Sequence, residues 1–301
     1  MKKRSVVLIG LITVLAVVML AYVLISNMPN PNVNRPQQPL NTQVLIADDD
    51  PRTVVALSYT LNGIPLAFEF NEIAYKWYLK GDRGFPVEQT ILQYMSSAIS
   101  KIMVERTVEE SRDNFTEFGL DKPFLTITVT FKPEKEEAYT KTYHIGNLNT
   151  YNDQYYFNVA GTDTVYMIMS GLIPYFDYEF LDLAVRDTIP NFNLDAFTVK
   201  SCEINGVEIE DTVSFGKNIS AVTLNNLIHY DRASEFDIKI DVKYVEKSNV
   251  TNTDGSMASS INVDHEFSFS INPTENYILI NGSGLIYQVD SAKIEALLET
   301  T

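Results

Sequence analysis

Apolar and polar residues alternate along several segments of the chain, and alternation with a period of two predicts β-strands. The clearest segments are residues 125–131, 236–244 and 261–271. Alternation of this kind is typical of antiparallel sheets that turn one face to a core and the other to water. We therefore expect antiparallel sheets to make up most of the fold.

Two further segments place apolar residues at helical spacing. The first consists of Ile91, Met95, Ala98, Ile99 and Ile102, which share one face of a helix. The second is weaker and consists of Ala221, Leu224, Leu227 and Ile228. The spacing predicts one helix in each half of the chain, packed against the sheet of that half.

Turn residues indicate an internal repeat. Asn62-Gly63 and Asn205-Gly206 each separate two alternating segments, and Asn-Gly accepts the positive φ values of a two-residue type I′ hairpin. The ends of the halves also match at one constant offset, with Tyr156, Gly161, Tyr166, Ser170 and Ile173 recurring as Tyr277, Gly282, Tyr287, Ser291 and Ile294. Each half is therefore predicted to close with a hairpin followed by a helix.

The start of the chain has a third pattern, an unbroken apolar run from Val6 to Ile25. A helix needs about 20 apolar residues to cross a bilayer. A cleaved signal peptide has a shorter apolar region and a small-residue cleavage site, so an uncleaved anchor is favoured. The residues that define this anchor are Val6, Ile9, Leu15, Leu20 and Ile25.

Basic residues before the run predict the orientation of the anchor. Lys2, Lys3 and Arg4 precede the run and only Arg35 follows it closely, so the positive-inside rule places the N-terminus in the cytoplasm. The rest of the chain is then expected outside the cytoplasm, as part of a single-pass protein of the cell membrane.

The fold class predicted from these patterns is α+β, with an N-terminal transmembrane helix followed by two tandem modules of antiparallel sheet with packed helices. Residues 1–26 form the cytoplasmic tip and anchor, and residues 27–41, which are rich in proline and asparagine, form an extended stalk. The first module is expected at residues 42–188. The second, a degenerate copy, is expected at residues 189–301.

The net charge limits which partners the chain can bind, and the cysteine content limits what can stabilise its fold. The net charge of the 301-residue chain is −16, which argues against nucleic acid as a partner because nucleic acid binding requires clustered cations. The single cysteine, Cys202, excludes an intrachain disulfide framework. Stability must then come from buried apolar surface.

Candidate catalytic chemistry is weak throughout the sequence. His144, His229 and His265 lie far apart without metal-binding spacing, so we expect no metal site and no cofactor. Ser283 lies between two glycines and is interpreted as a turn residue. The acidic run 48–50 is interpreted as a solvated strand entry. Asp177, Glu179 and Asp182 could supply a carboxylate pair, but a glycosidase needs a fixed separation of the two carboxylates across a cleft, so this hypothesis is remote. We expect no catalytic residue and no enzyme activity, and the absence of a P-loop assigns any ATP hydrolysis to a partner.

Aromatic residues offer the best contact candidates. Tyr151 and Tyr155 flank a predicted tight turn, and an exposed ring there could contact a protein or a sugar. Trp77 is expected in the core, and Cys202 is expected to pack as a small apolar side chain.

The first module resembles a known family, domain of unknown function 4340. The resemblance covers about residues 53–180 and is carried by the following segments: Trp77, Pro86-Val87, Phe118-Gly119-Leu120-Asp121-Lys122-Pro123, Ile145-Gly146-Asn147, Tyr155-Tyr156 and Val165-Tyr166-Met167-Ile168. It implies a membrane-anchored protein of the bacterial cell envelope, of a kind often associated with ABC-type exporters. No catalytic residues are established for the family, so the resemblance assigns none.

These observations favour a non-enzymatic, membrane-anchored extracytoplasmic accessory or scaffold protein, associated with the permease and ATPase of an ABC-type transport system. A different hypothesis is an extracytoplasmic module that binds glycan or peptide through exposed aromatic residues or a sheet edge. An envelope hydrolase is the third and most remote hypothesis.

Overall fold

β-Structure predominates in the computed structural model, which describes residues 43–109, 112–224, 226–251 and 257–299. Three antiparallel sheets and a few helices make the fold a mixed one, so the predicted α+β class is confirmed with β-structure in the larger share. The α-helices are α1 (Gln89–Ser100), α2 (Thr212–Ser220) and α3 (Ser291–Leu298). Short 3-10 helices lie at Pro51–Thr53, Ser170–Tyr175 and Phe180–Leu183.

Residues 44–169 form two sheets. The strands are β1 (Val44–Asp48), β2 (Val54–Leu61), β3 (Ile64–Asn71), β4 (Lys76–Leu79), β5 (Lys101–Val104), β6 (Arg106–Glu109), β7 (Leu125–Phe131), β8 (Tyr139–Asn149), β9 (Gln154–Val159) and β10 (Val165–Met169). β1 and β5 form a two-stranded sheet. The other eight strands form what we name the first sheet, in the order β4-β3-β2-β7-β8-β9-β10-β6.

The remaining sheet lies within residues 197–288. We name it the second sheet because its strand order matches that of the first sheet. Its strands are β11 (Phe197–Ile204), β12 (Val207–Glu208), β13 (Asn226–Tyr230), β14 (Ile238–Thr251), β15 (Met257–Asn272), β16 (Tyr277–Ile280) and β17 (Leu285–Gln288). Their order is β12-β11-β14-β15-β16-β17-β13.

The two large sheets share one connectivity. Starting from the opening hairpin, the order β3-β2-β7-β8-β9-β10-β6 in the first sheet corresponds strand for strand to β12-β11-β14-β15-β16-β17-β13 in the second. In both, a strand that follows the helix lies at the far edge of the sheet: β6, which comes after β5, in the first half and β13 in the second. The first sheet has one additional strand, β4, beyond its opening hairpin.

The Asn-Gly hairpins predicted from the sequence are confirmed. Asn62 and Gly63 have φ values of 50° and 85°, and Asn205 and Gly206 have 50° and 81°. Both turns connect antiparallel strands, β2 to β3 and β11 to β12. The closing hairpins are also present, followed by the 3-10 helix Ser170–Tyr175 in the first half and by α3 in the second.

The core of the first half lies between α1 and one face of the first sheet. Leu92, Met95 and Ile99 are fully buried on the helix, and the alternate residues of β7 are buried as predicted. Glu88 begins the helix by accepting a hydrogen bond from the Thr90 N–H. The helix ends at Ser100, so Ile102, predicted to be helical, instead lies in β5.

The second predicted helix was placed wrongly. Asp211 caps α2 by accepting a hydrogen bond from the Ser214 N–H, and the buried face of this helix consists of Phe215 and Ile219. Leu227 and Ile228, predicted to be helical, lie in β13. An apolar pair this short fits a strand as well as a helix, and pairing with β17 decides in favour of the strand.

Apolar contacts join the two halves. Phe85 stacks on Phe180 with ring centroids 4.5 Å apart and meets the ring of Tyr230 edge-on at 5.0 Å. Leu227, Leu285 and Tyr287 belong to the buried cluster of the first half. The described residues from Val44 onward form one compact unit, and the predicted division at 188/189 into two modules stays a prediction.

The N-terminal predictions fall outside the described residues. These are the anchor from Val6 to Ile25, the basic residues before it and the stalk at 27–41. In the part of the chain that the structure describes, no helix is both long enough and apolar enough to cross a bilayer.

Candidate functional site: an apolar groove beside the first helix

An open groove with a volume of about 400 Å³ lies between α1, β5 and the 3-10 helix Ser170–Tyr175. Its lining consists mainly of apolar and aromatic side chains, and Lys101 is the one charged residue among the described residues that line it. Four large side chains remain exposed there: Tyr94, Met103, Met169 and Tyr175. Tyr94 is 60% exposed although it belongs to a helix with a fully buried face.

Local geometry explains why these side chains face solvent. Leu92, Met95 and Ile99 occupy the inner face of α1, which directs Tyr94 to the outer face. In β5, Met103 lies between the buried Ile102 and Val104 and so points to the opposite side. Leu45 of β1 lies opposite Met103 in the register and is also exposed, so the apolar surface continues onto β1.

The chemistry of the groove is that of a contact surface. Methionine is flexible and polarizable, and tyrosine combines a large apolar ring with a polar tip, so both suit the packing of another apolar segment. An exposed apolar patch on a folded protein commonly marks an interaction site. The groove is therefore suited to bind an apolar partner.

A second cavity, of about 570 Å³, lies where the two halves meet and contains carboxylates. The Ser283 hydroxyl donates to Asp187 at 2.7 Å and accepts from the Leu285 N–H, and the Tyr287 hydroxyl accepts from the Asp187 N–H at 2.8 Å. Burial raises the pKa of Asp187 despite these hydrogen bonds. Ser283 thus closes a turn, as predicted.

Glu179 and Asp182 also line this second cavity, and their side chains accept hydrogen bonds from backbone N–H groups. The Asp182 carboxylate accepts a hydrogen bond from the Glu179 N–H at 3.1 Å, and together the two residues form a capping box at Phe180–Leu183. This arrangement fixes the start of a short helix.

The acidic run at 48–50 is not simply solvated, which corrects the sequence interpretation. Asp49 accepts hydrogen bonds from the Tyr139 hydroxyl at 2.7 Å and from Lys141 Nζ at 2.7 Å, and its side chain is largely buried. The hydrogen bond to Asp49 is the main cause that raises the pKa of Tyr139 to about 12. Asp50 caps the 3-10 helix Pro51–Thr53. Both residues therefore position β1 and the chain that follows it.

The two most specific segments of the family resemblance touch each other. The Asn147 N–H donates to the Phe118 carbonyl at 2.8 Å, and Asn147 Nδ2 donates to the Glu117 carbonyl at 3.1 Å. Gly146 and Asn147 lie at a bulge in β8, and a Cβ on Gly146 would overlap the Phe118 carbonyl oxygen. These segments hold the turn before β7 against β8, which is a structural role.

The residues singled out from the sequence are dispersed. Tyr151 is 100% exposed at the turn between β8 and β9, whereas Tyr155 is half-buried against Phe124, and neither lines the groove. Trp77 and Cys202 are buried, as predicted. The three histidines lie on three different strands: His144 on β8, His229 on β13 and His265 on β15. Among the described residues, no cluster of histidine, cysteine and carboxylate side chains could hold a metal ion.

Sequence reasoning missed the groove residues. Tyr94 lies within the predicted helix but not on its predicted apolar face. A large ring on the outer side of an amphipathic helix is a signal that could have been noticed. Met103 and Met169 carry no comparable signal, since only the tertiary structure brings β5 and the end of β10 to one groove.

The structure thus defines a protein of mixed fold in which β-structure predominates, with an apolar groove beside α1. The family model named Domain of unknown function (DUF4340) matches residues 77–227, and the chain belongs to this family. No curated protein matches the chain. No solved structure matches it.

Proposed function

We propose that this chain is a non-enzymatic, membrane-anchored extracytoplasmic accessory or scaffold protein that works beside the permease and ATPase of an ABC-type transport system. The apolar run from Val6 to Ile25 supports the anchor, and Lys2, Lys3 and Arg4 support a cytoplasmic N-terminus. Membership of the family supports a role in the cell envelope, because its members resemble envelope proteins associated with exporters.

The observation that carries the contact role is the apolar groove. Its exposed residues are Tyr94, Met103, Met169 and Tyr175. We assign it one occupant, an apolar segment of the membrane-embedded permease. Two observations support this choice: the lining is almost uncharged, and β1, where the described chain begins after the predicted anchor and stalk, pairs with the strand that carries Met103.

We also propose that residues 189–301 are a degenerate second copy of the first module. The shared strand order and the two Asn-Gly hairpins support this proposal. Among its described residues the second half has no counterpart of β4, and its sequence has no counterpart of the Phe118-Gly119 segment. On this proposal the copies retain a scaffold while their surfaces have diverged.

Site-specific photocrosslinking in the native membrane tests the proposed contact. A photoreactive phenylalanine analogue replaces Tyr94 in the full-length protein, and the matched control carries it at Val213, which is exposed on α2 in the second half. We expect an ABC-type permease to be crosslinked from position 94 and not from position 213. Recovery of no permease from position 94 would overturn the groove as the contact.

A third photocrosslinking variant at Tyr151 distinguishes the groove from the contact predicted from sequence. A permease crosslinked from position 151 alone would move the interface to the turn between β8 and β9.

The membrane anchor has its own test, because alkaline extraction of membranes releases peripheral proteins. Release of the full-length protein would contradict the anchor whatever the crosslinks show.

A further inference from the structure

On the side of β15 that faces β16, the hairpin of β14 and β15 extends well past the end of β16. β14 and β15 pair along almost their whole length, from Ile238 opposite Ile271 to Thr251 opposite Met257. β16 begins to pair with β15 only at Phe269, and the Asn281 N–H adds one hydrogen bond to the Ser268 carbonyl. Before Ser268, no strand of the described chain pairs with the outer side of β15.

The backbone of this segment presents hydrogen-bonding groups to the open side. Both the N–H and the carbonyl of Ser268 point towards β16, since Asn281 Oδ1 accepts from the former at 2.8 Å and the Asn281 N–H donates to the latter at 2.9 Å. The register from Ser268 to Ser260 has no bulge, so every second residue has the same orientation. The N–H and carbonyl groups of Asn262, Asp264 and Glu266 therefore point outward, along what we name the bare edge.

The side chains around the bare edge have a definite chemistry. Ile261 and Val263 are 49% and 37% exposed on one face. Asp264 and Glu266 are exposed on the other face and are acidic. Sheets usually protect such an edge with charged residues, most often lysine, with proline or with a bulge. Residues 260–268 contain no lysine, proline or bulge, and their charged residues are the acidic Asp264 and Glu266.

In the first sheet, the corresponding unpaired edge is much shorter. There the Ala160 N–H donates to the Thr142 carbonyl, as the Asn281 N–H does to the Ser268 carbonyl in the second sheet. β8 begins at Tyr139, only three residues before Thr142, whereas β15 begins at Met257, eleven residues before Ser268. The bare edge is therefore a property of the second half, created by the longer hairpin.

We propose that the bare edge binds an extended segment of a partner protein by strand addition, and that this segment carries lysine or arginine at alternate positions with apolar residues between them. Main-chain hydrogen bonds to Asn262, Asp264 and Glu266 supply the pairing. Apolar residues of the segment cover Ile261 and Val263, and its cations face Asp264 and Glu266.

Charge complementarity selects this occupant over a second copy of the chain. Two bare edges paired antiparallel about their centre would bring Asp264 and Glu266 of one copy next to the same residues of the other. Like charges on neighbouring strands are destabilising, so the acidic residues disfavour self-pairing and favour a cationic strand. The proposal is independent of the groove, which lies in the first half.

Peptide binding to the full-length protein in detergent tests the proposal. The probe is a capped, fluorescently labelled peptide of four Lys-Val repeats, and the control peptide has the same composition in the order Lys-Lys-Val-Val. Only the alternating peptide can place all its lysines on one face of a strand. We expect the alternating peptide to bind at least about tenfold more tightly, because a tenfold difference requires only 1.4 kcal/mol. Equal binding would mean simple charge attraction and would overturn the proposal.

Variants at Asp264 separate the contribution of its backbone N–H to peptide binding from that of its side-chain charge. Asp264→Asn removes only the charge, whereas Asp264→Pro also removes the outward N–H, which does not pair with β14. We expect Asp264→Asn to weaken binding several-fold and Asp264→Pro to weaken it at least about tenfold further. Equal affinities of the two variants would contradict strand addition.

Hydrogen exchange on the unaltered protein keeps the test valid if Asp264→Pro fails to fold. Saturating alternating peptide should slow exchange at the amides of residues 262, 264 and 266, because strand pairing occupies these N–H groups. Unchanged exchange at all three would overturn the proposal even if the peptide binds.

Discussion

The first and second sheets share a strand order but differ in what is added to it. The first has β4, the contact between Phe118 and Asn147, and the groove beside α1. The second has the extended hairpin of β14 and β15 with one bare edge. The comparison shows that two sheets with the same strand order can have very different surfaces. The strand order depends on turns and buried faces, whereas the surfaces depend on strand length and on the residues at the sheet edges.

The two halves also provide matched local probes. The single tryptophan, Trp77, is buried in the first half, and the single cysteine, Cys202, is buried in the second. Tryptophan fluorescence therefore reports unfolding of the first half, and labelling of the thiol reports exposure of the second. Burial raises the pKa of the Cys202 thiol to about 11, so labelling in the folded state should be slow.

The largest effect is expected from Phe85→Ala at the junction of the halves. Phe85 is buried between Phe180 and Tyr230, and truncation of a buried phenylalanine costs about 3–5 kcal/mol. The buried cluster of the first half includes Leu285 and Tyr287. The unfolding transitions reported by Trp77 and by Cys202 should therefore both shift to lower urea concentration. Urea unfolding of the full-length protein, followed by both probes, measures this. A shift in Trp77 fluorescence alone would show that the halves unfold separately.

Gly146→Ala tests the contact found only in the first half. A methyl group at this position meets the Phe118 carbonyl, which belongs to the backbone and cannot move aside freely, so we expect a loss of about 2 kcal/mol. Gly171→Ala is the matched control, since no atom lies within 4 Å of its added Cβ, and it should change stability by less than about 0.5 kcal/mol. Equal effects of the two substitutions would show that the contact does not constrain β8.

Tyr230→Phe removes a polar contact between the halves. The Tyr230 hydroxyl donates to the Asp82 carboxylate at 2.7 Å, and hydrogen bonds to charged groups contribute about 1.5–3 kcal/mol. We expect a loss near the lower value because the Asp82 side chain is partly exposed. A double-mutant cycle with Asp82→Asn isolates the pair, and a coupling energy near zero would contradict its contribution.

The same pair predicts a pH dependence. The hydrogen bond from Tyr230 is the main cause that lowers the pKa of Asp82, so its stabilisation is present above about pH 4 and is lost as the pH falls through the lowered value. Burial and then the contact with Asp82 raise the pKa of Tyr230 to about 12, so the stabilisation by the hydroxyl is lost as the pH rises from about 10 to 12. The difference in unfolding free energy between the wild-type protein and Tyr230→Phe should therefore be greatest between about pH 5 and 9. A difference that does not vary with pH would contradict this.

The smallest effect concerns the feature that the halves share. Gly63→Ala and Gly206→Ala place a side chain at φ values of 85° and 81°, with no atom near the added Cβ in either case. Backbone strain alone should cost about 1 kcal/mol at each position. We expect the two losses to agree within about 0.5 kcal/mol in urea unfolding. A clear inequality would show that the two hairpins are not equivalent in their contribution to stability.

Much of the fold could be predicted from the sequence because its signals are local. Asn-Gly fixes the hairpins at 62–63 and 205–206, alternation fixes the buried face of β7, and helical spacing fixes α1. Burial of Trp77 and Cys202 followed from their apolar character. These features depend on a turn conformation or a side-chain period within a few residues, and the sequence contains that information directly.

Only the tertiary structure decided which segments meet. β6 and β13 cross to the far edge of each sheet, Phe118 reaches Asn147, and Tyr94, Met103 and Met169 converge on one groove. The bare edge of β15 likewise depends on where β16 stops. Pairing between distant strands depends on the fit of whole surfaces, so no local period or turn signal identifies it. For this protein the local sequence determined the hairpin turns, the alternating strands and α1, whereas tertiary packing determined the strand β13 and the contact surfaces.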